Sequence, residues 1–319
     1  MLLSIVIPCY NEGENVALFY GEAVNALKDH LLETEFIFIN DGSRDQTLDE
    51  LKKIHKNSPY NINIINFSRN FGKEAALLAG FNSSCGDYVA IIDADLQQKP
   101  SYIIDMLEIL KVHNEYDCVA AYQDIRKEGK ILSFLKNCFY RLINKMTEVD
   151  IVRSASDFRL LRRNVINAII ALPEKCRFSK GIFAWVGFET YYMPYTVEER
   201  ANGTSKWSFW KLFVYAIDGI VAFSTVPLVI ASIFGIILFL ISILLLFVIV
   251  IKTLIWGDPV AGFPTLASLL LLTAGIQLLC IGVLGQYLAK NYTESKNRPM
   301  YIVKEIICNK ETLKDETEQ

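Results

Sequence analysis

The sequence has no paired-cysteine signature, few histidines and no excess of basic charge. Its seven cysteines (Cys9, Cys85, Cys118, Cys138, Cys176, Cys280, Cys308) are scattered, odd in number and form no C-x-x-C pair. That argues against a disulfide frame or a zinc ribbon and fits reduced thiols. The three histidines, His30, His55 and His113, stand in polar, helix-like surroundings that suit solvated surface. A net charge of -3 gives no sign of nucleic-acid binding. Met1–Ile7 lacks a basic stretch, and its apolar run is too short for a secretory signal, so residues 1–206 are expected to stay on the side of synthesis.

Charge is missing altogether from two stretches, Gly219–Ile251 and Pro259–Ala289. Each exceeds the roughly 20 apolar residues needed to cross a bilayer core. Two transmembrane helices are expected, at 227–251 and 265–289. Lys206 and Lys211 precede the first, and Lys290, Lys296, Arg298 and Lys304 follow the second. Only Lys252 and Asp258 lie between them. The positive-inside rule then puts both termini in the cytosol of a multi-pass plasma-membrane protein. Small residues (Ala231, Gly235, Gly275, Gly282, Gly285) would let these helices pack closely, within one chain or between copies in a homo-oligomer.

The first half alternates apolar runs with helical periodicity. Strands are expected at Leu2–Ile7, Glu35–Ile39, Ile62–Asn66, Tyr88–Ile92 and Cys118–Ala121. Helices are expected at Glu14–Leu31, Asp45–His55 (capped by Asp45), Lys73–Cys85 and Ser101–His113. This βαβα order predicts an α/β fold with an open, mostly parallel, doubly wound sheet. Further on, 130–147 reads as a basic amphipathic helix lying in a membrane interface. Residues 207–225, with Trp207, Phe209, Trp210, Phe213 and Tyr215, read as a juxtamembrane interfacial segment. Pro227 marks a kink or the start of the first span, and 291–319 reads as a cytosolic tail, polar from Glu311.

Polar motifs follow the apolar strands, where open α/β sheets bind ligands. Asp93-Ala94-Asp95-Leu96-Gln97 places two carboxylates and an amide oxygen at alternate positions just past a strand. Such oxygens suit Mg²⁺ or Mn²⁺ bound together with substrate phosphates. Taken alone, D-x-D is also an ordinary solvated turn. The preceding strands end in Pro8-Cys9-Tyr10-Asn11-Glu12 and in Asn40-Asp41-Gly42-Ser43-Arg44-Asp45, and the third leads into Phe67-Ser68-Arg69-Asn70-Phe71-Gly72-Lys73. A ring such as Tyr10 can cover a base, and Asp41 can accept hydrogen bonds from base or ribose. Lys73 at a helix N-terminus can face phosphate.

The ordered set IVIPCYNE, NDGSRD, FSRNFGKEAA, DADLQ, SDFRLLRR and ERANGTSKW resembles the family 2 glycosyltransferases of GT-A fold. More narrowly it is similar to the polyprenyl-phosphate glycosyltransferases with two C-terminal spans. The resemblance covers nearly the whole chain. It implies a Rossmann-like cytosolic domain (1–206) and inverting transfer of one hexose from a nucleotide sugar, UDP-glucose or UDP-N-acetylglucosamine foremost, to undecaprenyl phosphate. It implies nucleotide-sugar contacts along Pro8, Tyr10, Asn11, Glu12, Asp41, Ser43, Lys73, Asp93, Ala94 and Asp95. Metal or diphosphate contacts would fall on Asp93, Asp95 and Gln97. Arg126, Arg153, Ser156, Arg200 and Lys206 would hold the lipid phosphate, with Asp157 where relatives place a catalytic carboxylate. Asn40 stands where many members carry a second acid. A processive polysaccharide synthase would carry Q-x-x-R-W, yet Ser205-Lys206-Trp207 stands without it. A non-catalytic membrane scaffold is the remaining alternative.

Overall fold

The apolar runs become strands. In the computed structural model, which describes residues 2–30, 33–123, 155–175, 177–196, 226–256 and 262–308, β1 (Leu3–Cys9), β2 (Thr34–Asn40), β3 (Asn61–Phe67) and β4 (Tyr88–Ile91) form a parallel core. β1 and β2 are buried along almost their whole length, because helices cover both faces. The intervening helices are α1 (Val16–Ala26), α2 (Thr47–Asn57), α3 (Lys73–Ser83) and α4 (Tyr102–Val112). α1 begins later than its periodicity suggests, because Glu12 O accepts the N–H groups of Asn15 and Val16 in the preceding turn. Asp45 lies outside α2, yet its carboxylate still accepts the Thr47 N–H at 3.1 Å.

The fifth strand was also expected, but the elements that follow it in the sheet unit were not legible in the sequence. β5 (Cys118–Gln123) is followed by β6 (Ala155–Arg162), α5 (Arg163–Ala171), α6 (Ser179–Trp185) and β7 (Thr190–Tyr195). β6 inserts antiparallel between β4 and β5. Residues 303–307, assigned to a C-terminal tail above, instead form β8 (Val303–Ile307), antiparallel to β3. The sheet order is β7-β5-β6-β4-β1-β2-β3-β8, mostly parallel as expected.

The core lies on the two sheet faces. Phe19, Phe36, Phe38 and Phe158 are almost wholly buried, each contributing about 1.5–3 kcal/mol through burial. α3 packs across β1 and β2. It comes so close that a Cβ on Gly80 would stand 2.2 Å from Val6 Cγ1, so the contact requires glycine. This contact sets the height at which Lys73, in the first turn of α3, leaves the sheet.

A second compact unit holds α7 (Val226–Trp256) and α8 (Phe263–Ser295), which pack on each other. Both are long and apolar enough to cross a membrane, over Val226–Leu245 and Leu272–Ser295. Pro227 and Pro264 lie in their first turns, where the missing N–H costs nothing. The expected interfacial helix at 130–147 and the segment 207–225 fall outside the described residues.

Candidate active site

Parallel pairing brings the carboxyl ends of β1, β2 and β4 to one level. Cys9 lies opposite Asn40, Val6 opposite Ile91, and the Asp41 and Ile92 N–H groups donate to Cys9 O and Val6 O. A cleft of about 290 Å³ opens there. Of the expected nucleotide-sugar residues, Pro8, Tyr10, Glu12, Asp41, Lys73, Asp93, Ala94 and Asp95 line it. Tyr10 is 38% exposed at the cleft.

The other members of that group fix loops. Asn11 adopts φ +54 and donates its N–H to Ser43 Oγ at 2.9 Å, while its own Oδ1 accepts the Arg44 N–H at 2.9 Å. Asp45 Oδ2 accepts the Gly13 N–H at 3.0 Å. The β1–α1 and β2–α2 loops are thereby stitched together. Asn40 donates to Asn66 Oδ1 at 2.9 Å, a buried pair between β2 and β3.

Asp41 is almost wholly buried, and both its oxygens are engaged. Oδ1 accepts the Phe71 N–H at 2.6 Å and Oδ2 the Gly72 N–H at 3.0 Å. Burial pushes its pKa up against the lowering effect of those amides and of Arg69. The bond that the sequence suggested for base or ribose is thus already spent, in part, on the β3–α3 loop. Gly42 makes this approach feasible: at φ +62, a Cβ there would meet the Arg69 carbonyl carbon at 2.2 Å.

On the cleft wall, Lys73 joins a carboxylate of the loop after β4 to one on β6. Its Nζ lies 2.8 Å from Asp93 Oδ1 and 3.1 Å from Asp157 Oδ2. Burial works to lower the lysine pKa, but Asp93 and Asp157 outweigh it and hold the ammonium above its ordinary value. Burial likewise works to raise Asp157, but Lys73, Lys180 and Arg159 outweigh it and hold the carboxyl at about 2. The sequence offered Lys73 as a phosphate contact and Asp157 as an acceptor-side acid; it gave no sign that they pair.

The loop after β4 is tightly specified. Leu96 adopts φ +60, costly for a non-glycine residue, and Asp95 Oδ1 accepts the Gln97 N–H at 3.2 Å. Gln97, expected as a third metal oxygen, lies outside the cleft lining. Its neighbour Gln98 is buried; it accepts from the Asp93 N–H at 3.4 Å and donates to Ser156 Oγ at 3.2 Å. It therefore links the acid loop to β6. Among the described residues, no three His, Cys, Asp or Glu side chains gather as a metal cage. Asp93 and Asp95 nevertheless fit a hard cation, being carboxylates on one cleft wall with space beside them for diphosphate and water oxygens.

Glu74 also escaped the sequence reading. Its carboxylate accepts from both the N–H and the hydroxyl of Ser179, tying α3 to α6. Burial raises its pKa ahead of every other influence. On β6, the Arg159 guanidinium sits 4.1 Å over the Phe183 ring. Arg126, Arg153, Arg200 and Lys206 fall outside the described residues.

A parallel sheet whose carboxyl ends open onto paired carboxylates, a lysine and an exposed tyrosine defines an α/β domain suited to phosphorylated ligands. The chain belongs to glycosyl transferase family 2, whose model matches residues 4–170, and the architecture is GT-A-like. A protein of Bacillus subtilis (strain 168) named as a glycosyltransferase, CsbB, is 43% identical over 305 residues, covering 95% of this chain and 92% of that protein. The bactoprenol glucosyl transferase of Shigella phage SfV is 39% identical, covering 95% and 98%. Among solved structures, glucosyl-3-phosphoglycerate synthase from Mycobacterium tuberculosis aligns with a TM-score of 0.48 at 18% identity, covering 69% of this chain and 78% of that one.

Proposed function

We propose that the protein transfers one hexose, with inversion, from a nucleotide sugar to a polyprenyl phosphate at the cytosolic face of the plasma membrane. UDP-glucose and UDP-N-acetylglucosamine are the leading donors, and undecaprenyl phosphate is the acceptor. The observation that carries the reading is the Lys73 junction, which joins the acid loop after β4 to Asp157 on β6. Relatives named bactoprenol glucosyl transferase match almost end to end and support the lipid acceptor. The two long apolar helices support a membrane setting, with both termini cytosolic by the flanking charge.

The chemistry follows from the acceptor. A phosphate monoester has a second pKa near 6 and is largely a dianion at neutral pH. Its oxygen can attack the anomeric carbon without a strong base, forming the C–O bond as the bond to the leaving diphosphate breaks. The task left to the protein is to bring two anions together. Tyr10 and the Glu12 loop border the nucleotide end of the cleft. Asp93 and Asp95 would hold Mg²⁺ or Mn²⁺, which when bound neutralises charge growing on the diphosphate. Arg126, Arg153, Arg200 and Lys206 are assigned to the acceptor phosphate. Asp157, held at about 2, is a poor proton acceptor at neutral pH, which favours a positioning role beside Lys73.

The test uses purified full-length protein with radiolabelled UDP-sugars, Mn²⁺ and undecaprenyl phosphate. A lipid-soluble monosaccharide is the expected product. A polymer would point to a processive synthase, and no product across a broad donor screen would point to a scaffold. An Asp157→Asn variant that binds both substrates but transfers nothing until high pH restores activity would sink the positioning role.

A further inference from the structure

We propose that Tyr301, beyond the second apolar helix, is a positioning residue that braces the Lys73 wall of the donor cleft. This rests on the reading above that the cleft takes a nucleotide sugar. The contacts begin at the β3–β8 edge. Phe67, the last residue of β3, pairs with Val303, and the contact continues past the strand through Ser68 N–H to Ile302 O at 3.0 Å. The Tyr301 ring lies on the Phe67 ring, with centroids 5.0 Å apart and planes 13° apart. Its hydroxyl accepts from Asn82 Nδ2 at 3.1 Å, and Asn82 belongs to α3. Tyr301 therefore touches the strand entering the β3–α3 loop and the helix leaving it.

The loop between those anchors forms part of the cleft wall, through Asn70, Gly72 and Lys73. Phe67 meets Phe71 edge-on at 5.8 Å, and the Arg69 guanidinium lies over the Phe71 ring at 4.1 Å. Phe71 and Gly72 give their N–H groups to Asp41, and the next residue is Lys73. Gly72 holds φ +97, so the turn takes a conformation that most residues avoid. A bend of that kind keeps its shape only if its neighbours hold it. The stacked ring supplies that support from outside the catalytic sequence motifs. Misplacement by about 1 Å can cost up to roughly 100-fold in rate, so a brace that reaches the wall through Phe67 and Phe71 has leverage.

The test compares full-length Tyr301→Ala, Tyr301→Phe and Glu305→Ala with the wild type. Tyr301→Ala is expected to raise the donor KM about tenfold, within the range such misplacement allows, with the acceptor KM unchanged. A merely structural loss would lower the amount of active enzyme and leave the donor KM alone. Tyr301→Phe keeps the ring and should stay within about twofold, since it loses one neutral hydrogen bond. Glu305→Ala breaks the exposed pair between Lys52 of α2 and Glu305 of β8 and should leave the donor KM as it was. Hydrogen exchange is read in parallel: the Phe71 and Gly72 amides should exchange faster in Tyr301→Ala. Tyr301→Leu, which keeps volume without a flat ring, takes its place if the alanine variant does not fold, with the same shifts expected. An unchanged donor KM together with unchanged exchange at Phe71 and Gly72 overturns the proposal. If the wild type transfers no sugar, the functional reading fails, while the exchange data still decide the bracing.

Discussion

Replacing Lys73 with methionine tests the central junction without reference to any substrate. The substitution keeps most of the stem and removes the ammonium that sits 2.8 Å from Asp93 and 3.1 Å from Asp157. Holding Asp157 at about 2 instead of its ordinary 3.8, by Lys73 foremost and by Lys180 and Arg159, corresponds to roughly 2 kcal/mol at neutral pH. The Lys73 side chain keeps 40% of its surface in water, so screening reduces this to about 1 kcal/mol. For a domain of this size, that lowers the unfolding midpoint by roughly 2–4 °C. The sign with pH is fixed. Asp157 has a folded pKa below its unfolded value, so the stabilisation is fully present above pH 3.8 and is lost as pH falls through about 2. The assay is thermal unfolding of the full chain in metal-free buffer, wild type against Lys73→Met, from pH 7 to 2.5. The gap should be constant down to about pH 4 and then close. Adding Asp157→Asn to Lys73→Met should cost less than the sum of the single changes, because the pair is coupled. A gap of constant size to the lowest pH, with additive single changes, would refute the ionic account and leave only stem packing.

Gly42→Ala combines φ +62 with a Cβ 2.2 Å from the Arg69 carbonyl carbon. It should cost about 3 kcal/mol, a midpoint drop of roughly 6–12 °C by thermal unfolding. Gln98→Ala removes the bridge between the Asp93 N–H and Ser156 Oγ and should cost about 1 kcal/mol. Steady-state kinetics should show kcat/KM for transfer falling by more than that stability change explains. EDTA should abolish transfer, with Mn²⁺ or Mg²⁺ restoring it. Asp95→Asn should weaken metal-dependent nucleotide binding, measured by titration calorimetry, beyond the roughly 10–100-fold typical of outer-shell changes.

The sequence carried the parallel half of the sheet because its strands bury both faces and read as unbroken apolar runs. Leu3–Cys9 and Thr34–Asn40 have no other plausible reading. β6 was harder. Ala155–Arg162 sets arginines among its apolar residues, and buried Arg159 is received by the Phe183 ring from α6 and by the Ser156 carbonyl of its own strand. β8 was invisible for a related reason: Val303–Ile307 is a mostly exposed edge strand, polar at two positions, and only the vacant side of β3 gives it a partner. The same division runs through the site. Tyr10, Asp41, Asp93 and Asp95 were legible because each follows an apolar strand, and strand ends converge in this class of sheet. What each side chain does there depends on groups far off in sequence. Asp41 accepts the amides of Phe71 and Gly72, and Asp93 also pairs with Lys73. A motif identifies the groups at a strand end, but their division of labour is set by the neighbouring loops. Here those loops engage two expected ligand contacts, Asp41 and Lys73, in bonds that also hold the cleft in shape.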